Sequence, residues 1–105
     1  MTARTRKSFA NLREFYAFYL GEHGNRTCRR LHFCGTALAI AGAAGAAIAG
    51  RWWPIAAGIL CAYALAWVGH FFFERNSPAT FRYPLRSLAC DFLLFRDMLT
   101  GRIAL

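Results

Sequence analysis

The chain has 105 residues, of which 57% are hydrophobic, and thirteen Lys and Arg against five Asp and Glu give a formal net charge of +8. A soluble domain this short exposes too much of its surface to bury so much apolar area, so the composition favours a single membrane domain. The basic residues flank apolar segments, which indicates a lipid bilayer with anionic headgroups as partner and argues against nucleic acid.

The N-terminal segment is basic and then amphipathic. Residues 1–7 form a basic tail, and apolar residues over 8–20 recur at helical spacing, which predicts an amphipathic helix at a membrane interface. Gly21 and Gly24 interrupt this pattern, and Asn25 is a suitable N-cap. A second helix is therefore expected to begin directly after the break.

Two apolar segments follow, a first span over 26–50 and a second over 52–75. The uninterrupted apolar run of the first span, 33–50, has eighteen residues and would be about 27 Å long as a helix. That length just crosses the hydrocarbon core of a bilayer. Only Gly50 and Arg51 separate the two apolar runs, so the spans are expected to form a tight antiparallel hairpin.

Charge predicts the orientation of this hairpin. Of the thirteen basic residues only Arg51 lies in the turn, so the positive-inside rule places both termini in the cytoplasm. The heavy use of Ala and Arg favours the inner membrane of a bacterium.

Apolar residues over 84–99 recur at intervals of three and four residues, with charged residues between them, which predicts an amphipathic helix along the cytoplasmic interface. The expected fold class is an all-α membrane protein, an antiparallel transmembrane helix hairpin flanked by N- and C-terminal amphipathic helices.

The four cysteines show no CxxC unit. They lie in or beside predicted helices, on the cytoplasmic side or within a span, so they are expected to be reduced packing residues rather than disulfides. The positions are Cys28, Cys34, Cys61 and Cys90.

Two histidines lie at matching depths of the hairpin. His32 is about eighteen residues before the turn and His70 about twenty after it, so antiparallel spans place them within roughly 2 Å of one level. Small residues at helical spacing from each histidine allow the spans to approach closely with these histidines on the facing sides. The small residues are Gly35, Ala39, Gly42 and Ala46 on the first span and Gly58, Ala62 and Ala66 on the second.

Two further residues can join this pair. Glu74 lies one turn beyond His70, and the glycine break allows His23 to fold back towards His32. Imidazole and carboxylate ligands suit Zn²⁺ or Fe²⁺, with Fe²⁺ favoured where positions stay open for O₂ and substrate. The three histidines of the chain support at most a mononuclear site. The alternative is that these histidines only form hydrogen bonds near the interface.

A basic pair precedes the first span. Arg29 and Arg30 either bind lipid phosphate and fix the topology or bind the carboxylate of an anionic substrate.

Two segments, FYLGEHGNRTCRRLHFCGT and WVGHFFFERNSPATF, resemble the 2-hydroxy fatty acid dioxygenase-like membrane family. The family pattern pairs His-x8-His with a later Gly-His-x3-Glu-x3-Pro-Ala. The matching residues are His23, His32, Gly69, His70, Glu74, Pro78 and Ala79. The resemblance implies an Fe²⁺-dependent dioxygenase that shortens 2-hydroxy fatty acids by one carbon, with iron bound by the three histidines. Glu74 as ligand or catalytic partner is an addition to what the family implies.

Longer members of that family carry more membrane segments, so a partner or a homo-oligomer is expected to help close the cavity. Two other functions stay open at this point. One is a non-catalytic lipid-binding or scaffolding hairpin, and the other is a zinc-dependent hydrolase acting on lipids.

Overall fold

The computed structural model describes residues 8–78 and 81–105, so the basic tail over 1–7 and Ala79 of the family pattern lie outside the described residues. The described part is helical and contains no strand. Its elements are α1 (Leu12–Gly21), α2 (Arg26–Ala49), α3 (Trp53–Val68), a π-helical turn continuing α3 (Gly69–Glu74) and α4 (Pro84–Leu99). Two helices, Arg26–Ala49 and Trp53–Glu74, are long and apolar enough to cross a membrane.

Helix α1 begins at Leu12, later than the predicted start at residue 8, because Asn11 caps it. The Asn11 side chain accepts from the backbone N–H of Glu14 at 2.9 Å. In return the Glu14 carboxylate accepts from the backbone N–H of Ala10 at 3.0 Å. This reciprocal capping satisfies donors that a helix N-terminus otherwise leaves unpaired.

Local signals at both ends define α2. The side chain of Asn25 accepts from the N–H of Cys28 at 3.1 Å and caps the start, as the sequence predicts. At the other end Gly50 adopts a left-handed conformation with φ +66°, which glycine tolerates at a helix C-terminus. Pro54 then lies in the first turn of α3, where its missing N–H breaks no helical hydrogen bond.

The two long helices approach each other through glycines, as the small-residue pattern predicts. A Cβ on Gly42 would lie 2.4 Å from the carbonyl oxygen of Pro54, and one on Gly58 would lie 2.8 Å from that of Leu38. Any side chain at either position would force the backbones apart. The hairpin is therefore packed at backbone contact, which brings its histidine-bearing ends to a common level.

Most of the hairpin surface is apolar and outward-facing. Only 22% and 17% of the residues in the apolar stretches of the two long helices are buried, whereas a core helix of a soluble protein is mostly buried. Large exposed side chains cover both helices and the turn between them. They include Leu38, Ile40, Ile48, Trp52, Trp53, Ile59, Leu60 and Phe72.

Helices α1 and α4 pack together over the open end of the hairpin. Their shared core consists of Phe15, Tyr19, Cys90, Leu94 and Met98. Partly buried hydrogen bonds add to it, since the hydroxyl of Tyr16 donates to Asp97 at 2.7 Å and that of Tyr19 donates to Asp91. The contact of α4 with α2 includes the rings of Phe33 and Phe95, whose centroids are 4.7 Å apart.

The apolar stripe of α4 faces outward. Leu85 and Leu99 are 81% and 65% exposed, and Leu88 and Phe92 are also exposed. The side that faces the protein carries Ser87, Cys90, Asp91, Leu94 and Asp97. The helix thus turns its polar groups Ser87, Asp91 and Asp97 inward together with the core residues Leu94 and Met98, and exposes its other large apolar side chains.

All four cysteines are free thiols, as expected. Cys28 and Cys90 are buried packing residues, whereas Cys34 and Cys61 are exposed on the outer surface of the hairpin. The packing role predicted for all four therefore applies to two of them.

Candidate metal centre

Three elements bring the three histidines together at the open end of the hairpin. His32 lies on α2, His70 on the π-helical turn and His23 in the connection between α1 and α2. Their ring centroids are 4.3 Å (His23–His32), 4.5 Å (His23–His70) and 4.9 Å (His32–His70) apart. All three are at least 95% buried, with exposed fractions of 1%, 5% and 2% for His23, His32 and His70. The predicted meeting of His32 and His70, and the return of His23 to them, are confirmed.

The π-helical turn that carries His70 was not visible in the sequence pattern. It starts at Gly69, where a Cβ would lie 2.8 Å from the sulfur of Cys28, so only glycine fits against α2 here. It ends at Arg75, which adopts a left-handed conformation with φ +59°. The backbone N–H of Asn76 then donates a hydrogen bond to the carbonyl of His70 at 3.0 Å. Single π-helical turns of this kind are frequent at functional sites.

Hydrogen bonds to backbone carbonyls fix the protonation of two imidazoles. The Nδ1 of His23 lies 2.7 Å from the carbonyl oxygen of Tyr19. The Nδ1 of His32 lies 2.9 Å from that of Cys28. A carbonyl only accepts, so each Nδ1 carries the hydrogen, and each Nε2 keeps a free lone pair.

The third imidazole is held by a side-chain amide. The Nδ1 of His70 lies 2.7 Å from Oδ1 of Asn76, whose Nδ2 donates to the carbonyl of Glu22 at 3.1 Å. The second bond fixes which end of the amide faces the imidazole, so His70 also donates from Nδ1. All three rings are therefore in the Nε2-unprotonated form, with partners of the kind that orient metal-binding histidines.

The donor set fits a metal ion. The Nε2 atoms of His23 and His32 are 3.1 Å apart, and a cation between them would stabilise two lone pairs held this close. A proton is disfavoured there, because burial and the nearby imidazole of His32 lower the pKa of His23 to about 2. Ligand atoms of His23, Cys28, His32 and His70 all lie within 4.8 Å of one another, so the group could hold a metal ion.

Cys28 and Glu74 lie at the edge of this cluster. The sulfur of Cys28 is 3.6 Å from Nδ1 of His32, the ring nitrogen opposite the converging Nε2 atoms. The Glu74 carboxylate accepts from the backbone N–H of Asn25 at the start of α2. It thereby ties the π-helical turn to the N-terminus of α2, where a negative charge is stabilised. The catalytic role of Glu74 stays a prediction.

The two arginines predicted to bind substrate contact main-chain oxygens. Nη1 of Arg29 donates to the carbonyls of His23 at 3.2 Å and Gly24 at 2.9 Å. Nε of Arg30 donates to the main-chain oxygen of Leu105 at 3.0 Å. Arg29 therefore holds the connection that carries His23, and binding of substrate by either residue stays a prediction.

An apolar cavity of about 160 Å³ adjoins the cluster between α2, α3 and α4. The imidazole of His32 forms part of one wall. The other lining residues are Thr36, Ala39, Ile59, Ala62, Tyr63, Ala66, Leu88, Asp91 and Phe92. An alkyl chain placed in this cavity would have one end beside the imidazoles.

Sequence reasoning missed two residues of α4 at this site. Ser87 and Asp91 line a small space together with the three histidines. Burial raises the pKa of the Asp91 carboxyl to about 6, against the opposing effect of the hydrogen bond from Tyr19. Ser87 and Asp91 are four residues apart, so they lie on the same side of α4, away from its apolar stripe. This spacing was the feature of the sequence that could have indicated them.

Comparison with known proteins assigns the chain to a family. No curated protein and no solved structure matches the chain. Residues 9–103 match the Mpo1-like family, described as 2-hydroxy-palmitic acid dioxygenase Mpo1-like. The matched range includes every residue of the histidine cluster and both helices of the hairpin. A buried three-histidine cluster beside an apolar cavity is thus found in a chain that belongs to the Mpo1-like family.

Proposed function

We propose that the protein is a membrane-embedded, Fe²⁺-dependent dioxygenase that shortens 2-hydroxy fatty acids by one carbon. The observation that carries this proposal is the meeting of three buried imidazoles, each with its Nδ1 beside an acceptor and with the Nε2 atoms of His23 and His32 3.1 Å apart. The family description supports the reaction class and the substrate class. The exposed apolar surface of the hairpin supports a membrane location.

His23, His32 and His70 would hold the ion. Iron bound there supplies the electron transfer that O₂ requires and a positive centre for oxygen donors of the substrate. The apolar cavity receives the alkyl chain, while Asn76 and the two backbone carbonyls hold each imidazole in the tautomer that carries its hydrogen on Nδ1 and leaves Nε2 free. Neutral imidazole is the form that binds a metal.

Iron is favoured over zinc by the number of ligands and by the family. Three imidazoles leave positions of a ferrous ion open for O₂ and substrate. Zinc remains the less favoured occupant, and with it a hydrolase. Elemental analysis of purified protein distinguishes the two, with about one iron per chain expected.

The decisive experiment compares single His→Ala variants with Cys28→Ala. Purified protein should consume O₂ with 2-hydroxypalmitate, and each histidine variant should lose both iron and activity. Cys28→Ala should retain iron, because its sulfur lies on the far side of the His32 ring. Cobalt-substituted protein should lack a thiolate-to-cobalt charge-transfer band for the same reason.

Two results would reject the enzyme. Full activity after all three histidines are replaced by alanine would show that the cluster is not the reaction centre. A metal-free, folded protein that binds lipid and consumes no O₂ would favour the non-catalytic lipid-binding hairpin.

We further propose that both termini lie in the cytoplasm. The histidine cluster, α1 and α4 then occupy the cytoplasmic end, and the exposed Trp52 and Trp53 lie at the opposite interface. A membrane-impermeant thiol reagent should label Arg51→Cys from outside in a chain whose native cysteines are replaced. Light scattering of the purified sample tests the expected homo-oligomer.

A further inference from the structure

The polar side of α4 faces the histidine cluster rather than water. Ser87 and Asp91, one helical turn apart, line the same small space as His23, His32 and His70. That space shares His32, Tyr63, Ala66 and Asp91 with the larger apolar cavity. Polar groups of α4 therefore stand at the point where the apolar cavity meets the imidazoles.

Ser87 is 98% buried, with an exposed fraction of 2%. Its Oγ has no hydrogen-bond partner among the described residues. A buried hydroxyl without a partner destabilises a folded protein, whereas alanine would fill the same place at no such penalty. The small space that Ser87 lines has a volume of about 10 Å³, room for about one oxygen atom, so the unpaired hydroxyl is available to a single oxygen of a ligand.

Asp91 has spare accepting capacity. One of its oxygens, Oδ1, accepts from the hydroxyl of Tyr19. Within residues 8–78 and 81–105, neither ion pair includes Asp91, and Tyr19 is its hydrogen-bond donor. A carboxylate has about four lone-pair sites, so Asp91 can accept a further hydrogen bond from a group in the cavity that it lines.

We propose that Ser87 and Asp91 form the binding site for the polar end of the 2-hydroxy acid. This inference rests on the proposed function. Asp91 accepts a hydrogen bond from the 2-hydroxyl, and Ser87 donates to the substrate carboxylate. The alkyl chain then extends into the apolar cavity past Thr36 towards Ile59.

The arrangement makes Asp91 the residue that selects for the 2-hydroxyl group. A fatty acid without this group offers no hydrogen to the second oxygen of the half-buried Asp91 carboxylate, which then has only Tyr19 as donor. Sites built to hydrogen-bond a substrate hydroxyl reject the analogue that lacks it, because the buried partner then stays unsatisfied.

Equilibrium binding to iron-loaded protein under argon tests the proposal without turnover. Nanodisc-embedded protein binds radiolabelled 2-hydroxypalmitate, and unlabelled palmitate competes. Wild-type protein should prefer 2-hydroxypalmitate, and Asp91→Asn should reduce that preference by about tenfold or more. Asparagine keeps an acceptor for Tyr19 and places an N–H donor where the second carboxylate oxygen stood.

Ser87→Ala separates a binding role from a structural one. It should weaken binding of both fatty acids by about fivefold, and it should raise the Tm of ligand-free protein by about 4 °C because an unpaired hydroxyl is removed. Thr100→Ala, at the C-cap of the same helix, is the control, since the Thr100 hydroxyl already donates to the carbonyl of Arg96 at 2.9 Å. This control should leave the binding of both acids unchanged.

The outcomes distinguish this inference from the proposed function. If wild-type protein binds no iron or shows no preference for 2-hydroxypalmitate, the proposed function itself fails. If wild-type protein does both, unchanged preference in Asp91→Asn overturns the inference alone. Unchanged binding with a lower Tm in Ser87→Ala would show that Ser87 is a structural residue. If Asp91→Asn does not fold, the binding and Tm measurements on Ser87→Ala test the inference instead.

Discussion

Asp91→Asn is expected to stabilise metal-free, ligand-free protein at neutral pH. Burial raises the pKa of the Asp91 carboxyl from 3.8 to about 6, and the hydrogen bond from Tyr19 only partly opposes this effect. At about 1.4 kcal/mol per pH unit, a shift of about two units corresponds to about 3 kcal/mol. Asparagine carries no charge to desolvate and still accepts from the Tyr19 hydroxyl, so the variant avoids most of that penalty.

The sign of the pH dependence follows from the direction of the pKa shift. Because the folded-state pKa lies above the unfolded value, the native protein binds the Asp91 proton more tightly than the unfolded chain. The destabilisation is absent below about pH 4, grows as the pH rises to about 6 and is complete above about pH 7. The advantage of Asp91→Asn should therefore vanish near pH 4 and reach about 10 °C in Tm at neutral pH.

Thermal melts followed by circular dichroism in a non-ionic detergent test this expectation. EDTA is present and fatty acid absent, because either ligand would stabilise the native state. Asp97→Asn is the control of opposite sign, since hydrogen bonds from Tyr16 and Arg96 lower the pKa of Asp97. That variant should lose stability at neutral pH and approach wild type in acid. A stability difference for Asp91→Asn that does not change with pH would refute the reasoning.

Three further changes test the geometry of the centre and the hairpin. Asn76→Ala removes the acceptor of an imidazole Nδ1 hydrogen and should weaken metal binding by about 10–100-fold in chelator competition. Arg29→Ala should weaken metal binding by about tenfold because it frees the connection carrying His23, whereas Arg30→Ala should not; equal effects would contradict this account. Gly42→Ala should destabilise the hairpin by about 1–3 kcal/mol in denaturant titration, because its Cβ would lie 2.4 Å from a proline carbonyl oxygen. Gly45→Ala should leave the stability of the hairpin unchanged, because its Cβ would meet only a side chain at 3.9 Å. Similar losses of stability in the Gly42 and Gly45 variants would show that backbone contact is not the cause.

The hairpin and the histidine cluster could be predicted from the sequence because both follow from the number of residues between the turn and each histidine. A two-residue turn fixes the register of antiparallel helices, and register alone places His32 opposite His70. Glycines such as Gly42 and Gly58 mark the faces in contact, since no other residue permits backbones so close. The position of His23 followed from the break between the first two helices.

The roles of α4 could not be predicted in the same way. Its periodicity shows that one side is apolar and the other polar, but periodicity does not say which side meets the protein. In this fold the exposed apolar residues of α4 lie on the outer surface, and the polar residues Ser87 and Asp91 turn inward. Glu74 was expected beside the metal from its spacing to His70. The π-helical turn changes that spacing and the Glu74 carboxylate accepts from the backbone N–H of Asn25, while its role at the metal stays a prediction.

The π-helical turn also separates two parts of one helix, the part that packs against α2 and the part that carries His70. The residues of α3 before Gly69 follow regular α-helical geometry, which keeps the glycine contacts with α2 on one face. The residues after the π-helical turn are rotated about the helix axis, because a π-helical turn is wider than an α-helical one. Shortening this turn by one residue after His70 would return Glu74 and Asn76 to ordinary helical phase and move the Asn76 amide away from the His70 ring, while the contacts between the two long helices stayed in place. Packing between the two long helices and the hydrogen bond that orients the His70 imidazole can thus vary independently, although His70 lies on the helix that makes both contacts.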